Sequence, residues 1–570
     1  MDYIKYAILA GLAVVTYLLL LAWQEDYPTT DTREQSPAAV ADLNNGDVPN
    51  VAVNADLPSQ APAVSSDDIP SAPTSAPASV ATTSSDATLI TVRTDVLNVT
   101  IDRVGGDIVA VSLPEHATRL DTPDDPFVLL ENSSARTYVA QSGLIGVNGI
   151  DGGAQRPLFD AAASEFSMES GQNQLSVDLT YTDEQGVEVT KRFTFRRGDY
   201  LIDINFDVNN VSEQPWRANL FGQIKRNDFP DPTRGSSLGM SSFLGFATTS
   251  PDDNYSKIPF DDIDSGYAGH EMEGGWVALS QHYFISVFVP SAETRNSFSF
   301  RRNNQGEYIG GFTTSEFAVA PNSRGGQQLS FYAGPKDQYR MKEIAPWLDR
   351  TIDYGWLWFI ASPIYWLLTT INDVVGNYGW SIILLTVVVK AIFFKLSATS
   401  YRSMANMRRI VPKMNQLKER YGDDKAKLQK ATMELYKKEK INPFGGCLPM
   451  LVQMPVFIAL YWVLLEGVEL RHAPWMLWIN DLSVMDPYFV LPLLMGASMY
   501  VQFMLNPTPQ DPMQAKIMKF MPIAMTLFFL WFPAGLVLYW LSNNVLGIAQ
   551  QWYITRQIEA ESAAKEAAKS

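Results

Sequence analysis

Long apolar runs fill the second half of the chain and decide what it can fold into. They cover residues 380–396, 447–465, 488–505 and 520–553. Pro533 and Gly535 interrupt the last run and predict a turn, which divides it into spans at 520–532 and 536–553. Runs of this length and polarity are typical of helices inside a lipid bilayer. Residues 4–23 form a further run and predict an uncleaved N-terminal anchor over 1–23, with a cleavable signal peptide as the alternative.

Charge divides the chain into two unlike parts. Of 61 acidic and 44 basic residues, the segment 24–340 holds 43 acids but only 21 bases. This balance excludes an all-basic nucleic-acid binder, so DNA is not an expected partner. Cys447 is the only cysteine, which excludes a domain held together by disulfides. An acidic, soluble-looking part is therefore joined to a basic, membrane-like part.

The acidic part predicts a linker followed by strands. Residues 24–87 are rich in Ala, Pro, Ser and Thr and predict a flexible linker. Residues 88–340 predict an extracytoplasmic all-β sandwich, because alternation of period two recurs there, most clearly in a hairpin at 187–208. The histidines show no metal-ligand or catalytic spacing, and we interpret the acidic segment 261–264 as a solvated loop. We therefore expect no enzyme activity, no metal and no cofactor.

Basic residues predict the orientation of the membrane part. The segment 397–442 carries 12 bases and 5 acids, which predicts a cytoplasmic location. If the acidic part lies outside, one crossing separates the two, and 380–396 is the better candidate for it. The aromatic run at 355–371 then belongs to an interfacial region over 341–378. The prediction is a bundle of six membrane helices with both ends cytoplasmic and a tail over 557–570.

The cytoplasmic segment predicts a helical hairpin over 398–441 with basic outer faces. Pro412 interrupts its first helix. Two interpretations of the basic faces stay open, namely attraction to the membrane surface and docking of an acidic partner such as ribosomal RNA or a targeting factor. The candidate docking residues are Arg402, Arg408, Arg409 and Lys413.

Lys390 is the most informative residue of the sequence. It lies ten residues into the run 380–396, about 15 Å along a helix. A cation at that depth costs at least about 2.5–3.5 kcal/mol, and such residues usually face a bundle interior or a wet cavity. Snorkelling to the surface is the alternative. Together with polar residues of the same and other spans, Lys390 predicts a hydrophilic groove. The alternative is that these polar residues only form ordinary hydrogen bonds between helices. These polar residues are Thr386, Gln453, Thr526, Ser542, Asn543 and Asn544.

The predicted span at 520–532 is short, with about 13 residues and a length near 20 Å. A span shorter than the roughly 30 Å hydrocarbon core thins the bilayer locally. A wet groove in a thinned membrane lowers the barrier to moving a polar segment across, which predicts a mechanism for passing polar segments of a protein through the bilayer. The rivals are a polar-solute transporter or channel, and a periplasmic binding module with a membrane anchor.

Three motifs carry a resemblance to a known family. They are NPFGGCLP at 442–449, QMP at 453–455 and LWFPAGLVLYW at 530–540. These motifs resemble those of the YidC family of membrane protein insertases, and the likeness covers about residues 356–556. The added anchor, linker and β domain resemble the Gram-negative form of the family.

The resemblance implies a five-helix insertase core over 379–556, in a protein of the cell inner membrane, with a groove open to the cytoplasm and the lipid. The family's groove carries a positive charge that falls on Lys390, where Arg is usual; the predicted groove also takes in Tyr539 and Trp540. The client slide of the family, along which client helices move, falls on Met454, Phe457, Leu527 and Phe529. The implied partners are nascent membrane proteins, the lipid bilayer, the Sec translocon, ribosomes and targeting factors. Some members of the family bind ribosomes through a basic C-terminal tail, but the tail after Arg556 is nearly neutral here, so we do not expect that role for it.

Overall fold

The computed structural model describes residues 88–153, 155–233, 242–422, 424–439, 448–505 and 512–567. The predicted anchor at 1–23 and linker at 24–87 lie outside the described residues, as does most of the motif at 442–449. In the described ranges, a β-rich part from Leu89 to Pro335 is followed by a helical part.

Two sheets build the β-rich part, and their facing sides share one hydrophobic core. The larger sheet has 11 strands and the smaller has nine. The pairing is antiparallel except between the first and seventh strands. In chain order the strands are β1 (Leu89–Arg93), β2 (Asn98–Asp102), β3 (Asp107–Arg119), β4 (Thr122–Asn132), β5 (Thr137–Ile145), β6 (Asp160–Ala161), β7 (Glu165–Ser167), β8 (Gln174–Thr182), β9 (Glu188–Arg196), β10 (Leu201–Asn210), β11 (Trp216–Arg226), β12 (Gly245–Thr248), β13 (Ser256–Ile258), β14 (His270–Glu273), β15 (Val277–Ser280), β16 (Phe284–Pro290), β17 (Arg295–Arg302), β18 (Tyr308–Thr314), β19 (Phe317–Val319) and β20 (Ser323–Pro335).

The hairpin predicted at 187–208 is present as β9 and β10, which pair antiparallel with Phe193 opposite Ile204. Val189, Phe193 and Phe195 point into the core, as the alternation requires. Lys191 follows the same alternation and is completely buried. The acidic segment predicted as a loop instead forms a one-turn helix, α1 (Phe260–Asp264), and Asp264 pairs with Arg302.

A buried ion cluster surrounds Lys191. Its ammonium donates to the carbonyls of Gly105 (3.1 Å) and Ser142 (2.8 Å). Arg156 forms ion pairs with Asp107 and with Asp151, and it donates to the same two carbonyls. Gly105 has a φ of +75°, and a Cβ there would lie 2.3 Å from the Arg156 guanidinium carbon. Only glycine satisfies both the left-handed backbone and the close approach of Arg156.

The stability of the β-rich part is expected to rise with pH above neutrality. Burial lowers the pKa of Lys191 to about 7, against an opposing effect of Asp107. Lysine in the unfolded chain titrates near about 10.4, so between these values the unfolded state binds more protons than the folded state. The free energy of unfolding should therefore increase by about 1–2.5 kcal/mol from pH 7 to pH 9.

Hydrogen exchange of β9 and β10 in the detergent-solubilised protein, corrected for the intrinsic exchange rate, measures this change. Lys191→Met is the control, because it removes the titrating group while Arg156 still donates to both carbonyls. An equal pH slope in the variant and the wild type would show that Lys191 is not responsible.

The helical part begins directly after β20. Its helices are α2 (Gln338–Ile344), α3 (Trp358–Val375), α4 (Tyr378–Ile392), α5 (Phe394–Tyr421), α6 (Lys425–Lys438), α7 (Leu448–Glu466), α8 (Val490–Met504), α9 (Pro512–Phe529) and α10 (Ala534–Ala567). Among the described residues, no single helix has the length and apolar composition to cross a bilayer, whereas α4 and the start of α5 reach it together with a bend of 68°. The six membrane helices therefore stay a prediction.

Several helix limits differ from those expected. The helix expected over 380–396 ends at Ile392, and a new helix starts after Phe393. Helix α9 begins at Pro512, eight residues before the expected start at 520, because its first turns are polar and invisible to a hydropathy argument. Helix α10 continues well past 553. The hairpin expected at 398–441 corresponds to α5 and α6, and Pro412 lies inside α5 without ending it.

The C-terminal end of α7 is fixed to the β-rich part by polar contacts. His282 Nε2 donates to the carbonyl of Leu465 over 2.9 Å, and the hydroxyl of Ser242 donates to Glu466 over 2.7 Å. Lys336 lies 3.9 Å from the same carboxylate, with both side chains almost fully buried. A cation near the last carbonyls of a helix is favourable. The two parts of the chain therefore meet in a specific interface.

Candidate functional site

Lys390 lies in the last turn of α4, immediately before the bend to α5. The carbonyl end of a helix favours a cation, which explains why this position tolerates one. The residue is partly exposed. Within the described ranges, no carboxylate forms an ion pair with it. The protein therefore holds a cation here without a counter-ion of its own in the described part of the chain.

Polar groups from three further helices surround Lys390. A Cβ added to Gly547 of α10 would lie 3.5 Å from Lys390 Nζ, 3.4 Å from Gln502 Nε2 and 3.8 Å from the Tyr401 hydroxyl. Gln502 comes from α8 and Tyr401 from α5. The Tyr401 hydroxyl donates a long hydrogen bond of 3.4 Å to the Gly547 carbonyl. Four helices thus bring an ammonium, an amide and a phenol to one point.

Further polar side chains follow the same helix in both directions. Asn544 donates to the Ser498 hydroxyl over 3.2 Å, and Gln551 donates to the Leu505 carbonyl over 3.2 Å. Both amide atoms of Gln550 are buried, and neither has a hydrogen-bond partner among the residues that the structure describes. Buried polar atoms without partners cost free energy in a dry environment. This stretch of α10 therefore carries several buried polar side chains.

The polar residues predicted for the groove do not all lie beside Lys390. Thr386 is buried, and its hydroxyl donates to the Ile382 carbonyl of its own helix. Thr526 similarly donates to Pro522 of α9. Both hydroxyls are occupied by local backbone bonds, which serine and threonine commonly form in helices. Gln453, Ser542 and Asn543 are partly exposed.

An aromatic cluster joins α7, α9 and α10. Phe457 lies 4.5 Å from Trp540 and 6.1 Å from Tyr539 between ring centroids, and Phe529 lies 4.8 Å from Trp540. Tyr539 and Phe529 are buried, so they pack the helices rather than line an open surface. Met454 (47% exposed) and Leu527 (55% exposed) do offer an accessible apolar surface.

The basic face of the hairpin formed by α5 and α6 is exposed. Arg402 and Arg409 are exposed on α5, which also carries Arg408. Lys413 pairs with Glu439 over 2.6 Å, across the two helices of the hairpin. An exposed ion pair of this kind contributes little to stability. Arg402 and Arg409 are thus the available cations of this face.

Sequence reasoning missed Tyr401, Gln502, Ser498 and Gln550. Gln502 and Ser498 were visible as polar residues inside the apolar run 488–505, the same signal that drew attention to Gln453. Tyr401 falls inside the segment predicted as a hairpin, and the bend at Phe393 that brings it towards Lys390 has no marker in the sequence. Gly547 gave no signal, since its significance depends on side chains from three other helices.

Comparison with known proteins identifies the family. Residues 89–367 match the model of the YidC periplasmic domain, and residues 370–561 match that of the 60Kd inner membrane protein family. The chain is 51% identical to "Membrane protein insertase YidC" of Stutzerimonas stutzeri (strain A1501), over 98% of this chain and 99% of that protein. The chain belongs to the family of YidC membrane protein insertases. The protein of the same name from Pseudomonas putida (strain W619) is 50% identical, again over 98% of this chain and 99% of the relative.

A solved structure described as an active YidC insertase with its first transmembrane domain resolved aligns over 82% of this chain and 92% of that one, with a TM-score of 0.37 and 18% identity. YidC homologues are inner membrane insertases with a periplasmic domain, and the β-rich part of this chain is that domain. Membrane protein insertion is therefore its function, and the transporter and binding-module interpretations are set aside. Its clients are membrane proteins, and it works in the lipid bilayer.

Proposed function

We propose that insertion proceeds through a hydrophilic groove centred on Lys390. The observation that carries the proposal is a partly exposed lysine with no ion-pair partner in the described ranges, whose ammonium lies among polar groups of α5, α8 and α10. A charge that is partly removed from water and has no ion-pair partner costs free energy. Such a residue is retained at a cost to stability, which is reasonable if its partner is a transient one.

In the proposed mechanism, a polar client segment enters the groove from the cytoplasm and its acidic side chains approach Lys390. Opposite charges 4 Å apart attract by about 1 kcal/mol in water and about 4 kcal/mol near a protein surface. An attraction of this size favours binding of the segment, yet it is weak enough for the segment to dissociate again. Water in the groove solvates the partly exposed polar side chains, such as Gln502.

The apolar helix of the client then leaves along an exposed apolar surface. We assign Met454 and Leu527 to this client slide because both are accessible, and we leave the buried Phe529 out of it. Transfer of apolar surface into lipid contributes roughly 25 cal/mol per Å² and drives the movement. Helix α4 has 15 residues, about 22 Å, and is shorter than a bilayer core of about 30 Å. A thinner membrane beside it would shorten the path of the polar segment.

We further propose six membrane spans with both termini in the cytoplasm. The support is the excess of bases in 397–442 against the acidic β-rich part. Helix α3 has an exposed aromatic side with Trp358, Phe359 and Trp366, which suits a helix that lies at the periplasmic surface of the inner membrane. The exposed cations Arg402 and Arg409 suit a ribosome or targeting factor, and the Sec translocon is an additional proposed partner.

Water access to the groove tests this function. In a variant without Cys447, a cysteine at Lys390 or Gln502 is expected to react with a polar, membrane-permeant maleimide at least ten times faster than a cysteine at Val388. Val388 is the matched control, because it lies on the same turn of α4 as Lys390 but is an exposed apolar residue that would face lipid. Equal, slow labelling at all three positions would exclude a hydrated groove.

A further inference from the structure

Arg471 docks the segment that follows α7 onto the β-rich part. Its guanidinium donates to the carbonyls of Ala117 (2.7 Å) and Thr118 (3.2 Å) at the end of β3. The guanidinium carbon also lies 5.7 Å from the ring centroid of Phe127 and 5.6 Å from that of Phe284. Carbonyl oxygens and aromatic rings attract a cation but do not neutralise it. Arg471 forms no ion pair with a carboxylate in the described ranges, so its charge has no direct counter-ion there.

His116 precedes these two carbonyls on β3 and contacts the same pair of aromatic rings. Its ring meets Phe284 edge to face, with 5.3 Å between the ring centroids, and Phe284 stacks on Phe127 over 4.3 Å. Its Nε2 lies 3.3 Å from the Tyr200 hydroxyl, within hydrogen-bond distance. The residue is partly exposed. An imidazole that can take up a proton therefore lies next to the cation that docks the segment.

A second histidine, His472, follows Arg471 directly. Its Nε2 lies 4.0 Å from the Asp481 carboxylate. The other charged and titratable groups around the two histidines and Arg471 are Glu115, Tyr200 and Tyr283. The backbone of His472 has a φ of +60°, and this left-handed conformation costs free energy in a residue other than glycine. The docked segment is therefore held in a conformation that its release would relax.

Protonation of His116 would place a second cation beside Arg471. Burial, Arg471 and His472 lower the pKa of His116 to about 4, whereas a free histidine has a pKa of about 6.5. Burial and Arg471 also lower the pKa of His472, against the opposing effect of Asp481. Between about pH 4 and about pH 6.5 the undocked state therefore binds more protons than the docked state. Docking is strongest above this range and weakens as the pH falls through it.

We propose that His116, Arg471 and His472 form an acid-sensitive joint, at which the β-rich part releases the segment after α7 when its surroundings become acidic. The β-rich part is the periplasmic domain of the family, so the joint responds to the pH of the periplasm. Glu466 keeps its contacts with Ser242 and Lys336 outside the joint. The release is therefore local: it frees the segment, while the C-terminal end of α7 stays attached.

Hydrogen exchange of residues 467–482 in the full-length, detergent-solubilised protein measures the release, after correction for the intrinsic exchange rate. The docked segment contains protected amides, such as that of Leu482, which donates to the Ala473 carbonyl over 3.0 Å. If undocking returns the pKa of His116 to its ordinary value, the opening constant is about 30-fold larger at pH 5 than at pH 8. We therefore expect the protection of the segment to fall by more than about twofold and by up to about 30-fold.

Four variants separate the joint from a general effect of acid. His116→Gln is neutral at every pH and should reduce the pH response to the share of His472, and the double variant His116→Gln, His472→Gln should abolish it. His116→Lys carries a permanent cation and should exchange at pH 8 as fast as the wild type does at pH 5. His270→Gln is the matched control, because His270 stacks on Phe298 in the β-rich part, outside the joint, and should keep the wild-type response.

Two results would overturn the joint. One is a fall in protection of less than about twofold in the wild type between pH 8 and pH 5. The other is an equal fall in the wild type and in the double variant, which would assign the pH response to groups other than the two histidines. The wild-type measurement decides the question even if His116→Lys fails to fold.

Discussion

A K390E variant is expected to insert clients with acidic translocated segments at less than a tenth of the wild-type rate. The substitution replaces attraction by repulsion at the point where the segment passes, a change of about 2–8 kcal/mol over the range of effective dielectric constants near a protein surface. A tenfold loss needs only about 1.4 kcal/mol. K390A should have an intermediate effect, because it removes the attraction without adding repulsion.

Lys390→Arg separates charge from geometry. The guanidinium keeps the positive charge and adds a planar set of five donors, so acidic clients should insert at least as well as with Lys390. Lys395→Glu is the matched control: Lys395 is exposed on the next helix, five residues away, and is expected to change insertion by less than twofold. If K390E inserted acidic clients as well as the wild type does, Lys390 would have no electrostatic role.

A feature of the site could be predicted from the sequence when neighbouring residues of the same segment were enough to reveal it. A cation in an apolar run is visible in the sequence, so Lys390 was found. The burial of Lys191 was not predicted, although its register among valines and phenylalanines carries the signal. The ends of helices that lie in polar sequence were not predicted. Hydropathy identifies the residues that suit a lipid environment, but it does not identify the residue at which a helix begins. The start of α9 at Pro512 is such a case.

The arrangement around Gly547 could not be predicted for a different reason. Its meaning arises from residues at 390, 401 and 502, which only the packing of four helices brings together. The same is true of Phe529 and Tyr539, which are apolar residues of suitable spacing that the structure places in the interior. Sequence shows which residue types are available, and packing decides which of them face a ligand.

An R156M variant is expected to destabilise the β-rich part by about 3–5 kcal/mol. Arg156 is almost completely buried, and it is the only guanidinium that pairs with Asp107 and Asp151 in the described residues. Removing one partner of a buried ion pair leaves the other charge uncompensated, which costs far more than the pair contributes. Lys191 cannot replace it, because burial already lowers the pKa of that ammonium to about 7.

Arg192→Met provides the comparison, since Arg192 pairs with Asp178 over 2.6 Å on the exterior of the neighbouring strand pair, where both side chains are more than 40% exposed. An exposed pair contributes about 0–1 kcal/mol, so this variant should keep nearly full stability. Hydrogen exchange of β5 and β9 in the detergent-solubilised protein reports the free energy of opening for both variants. Similar losses of stability in the two variants would mean that burial does not increase the cost of removing one partner of an ion pair. A large loss confined to R156M would mean that the β-rich part depends on a compensated charge cluster inside it.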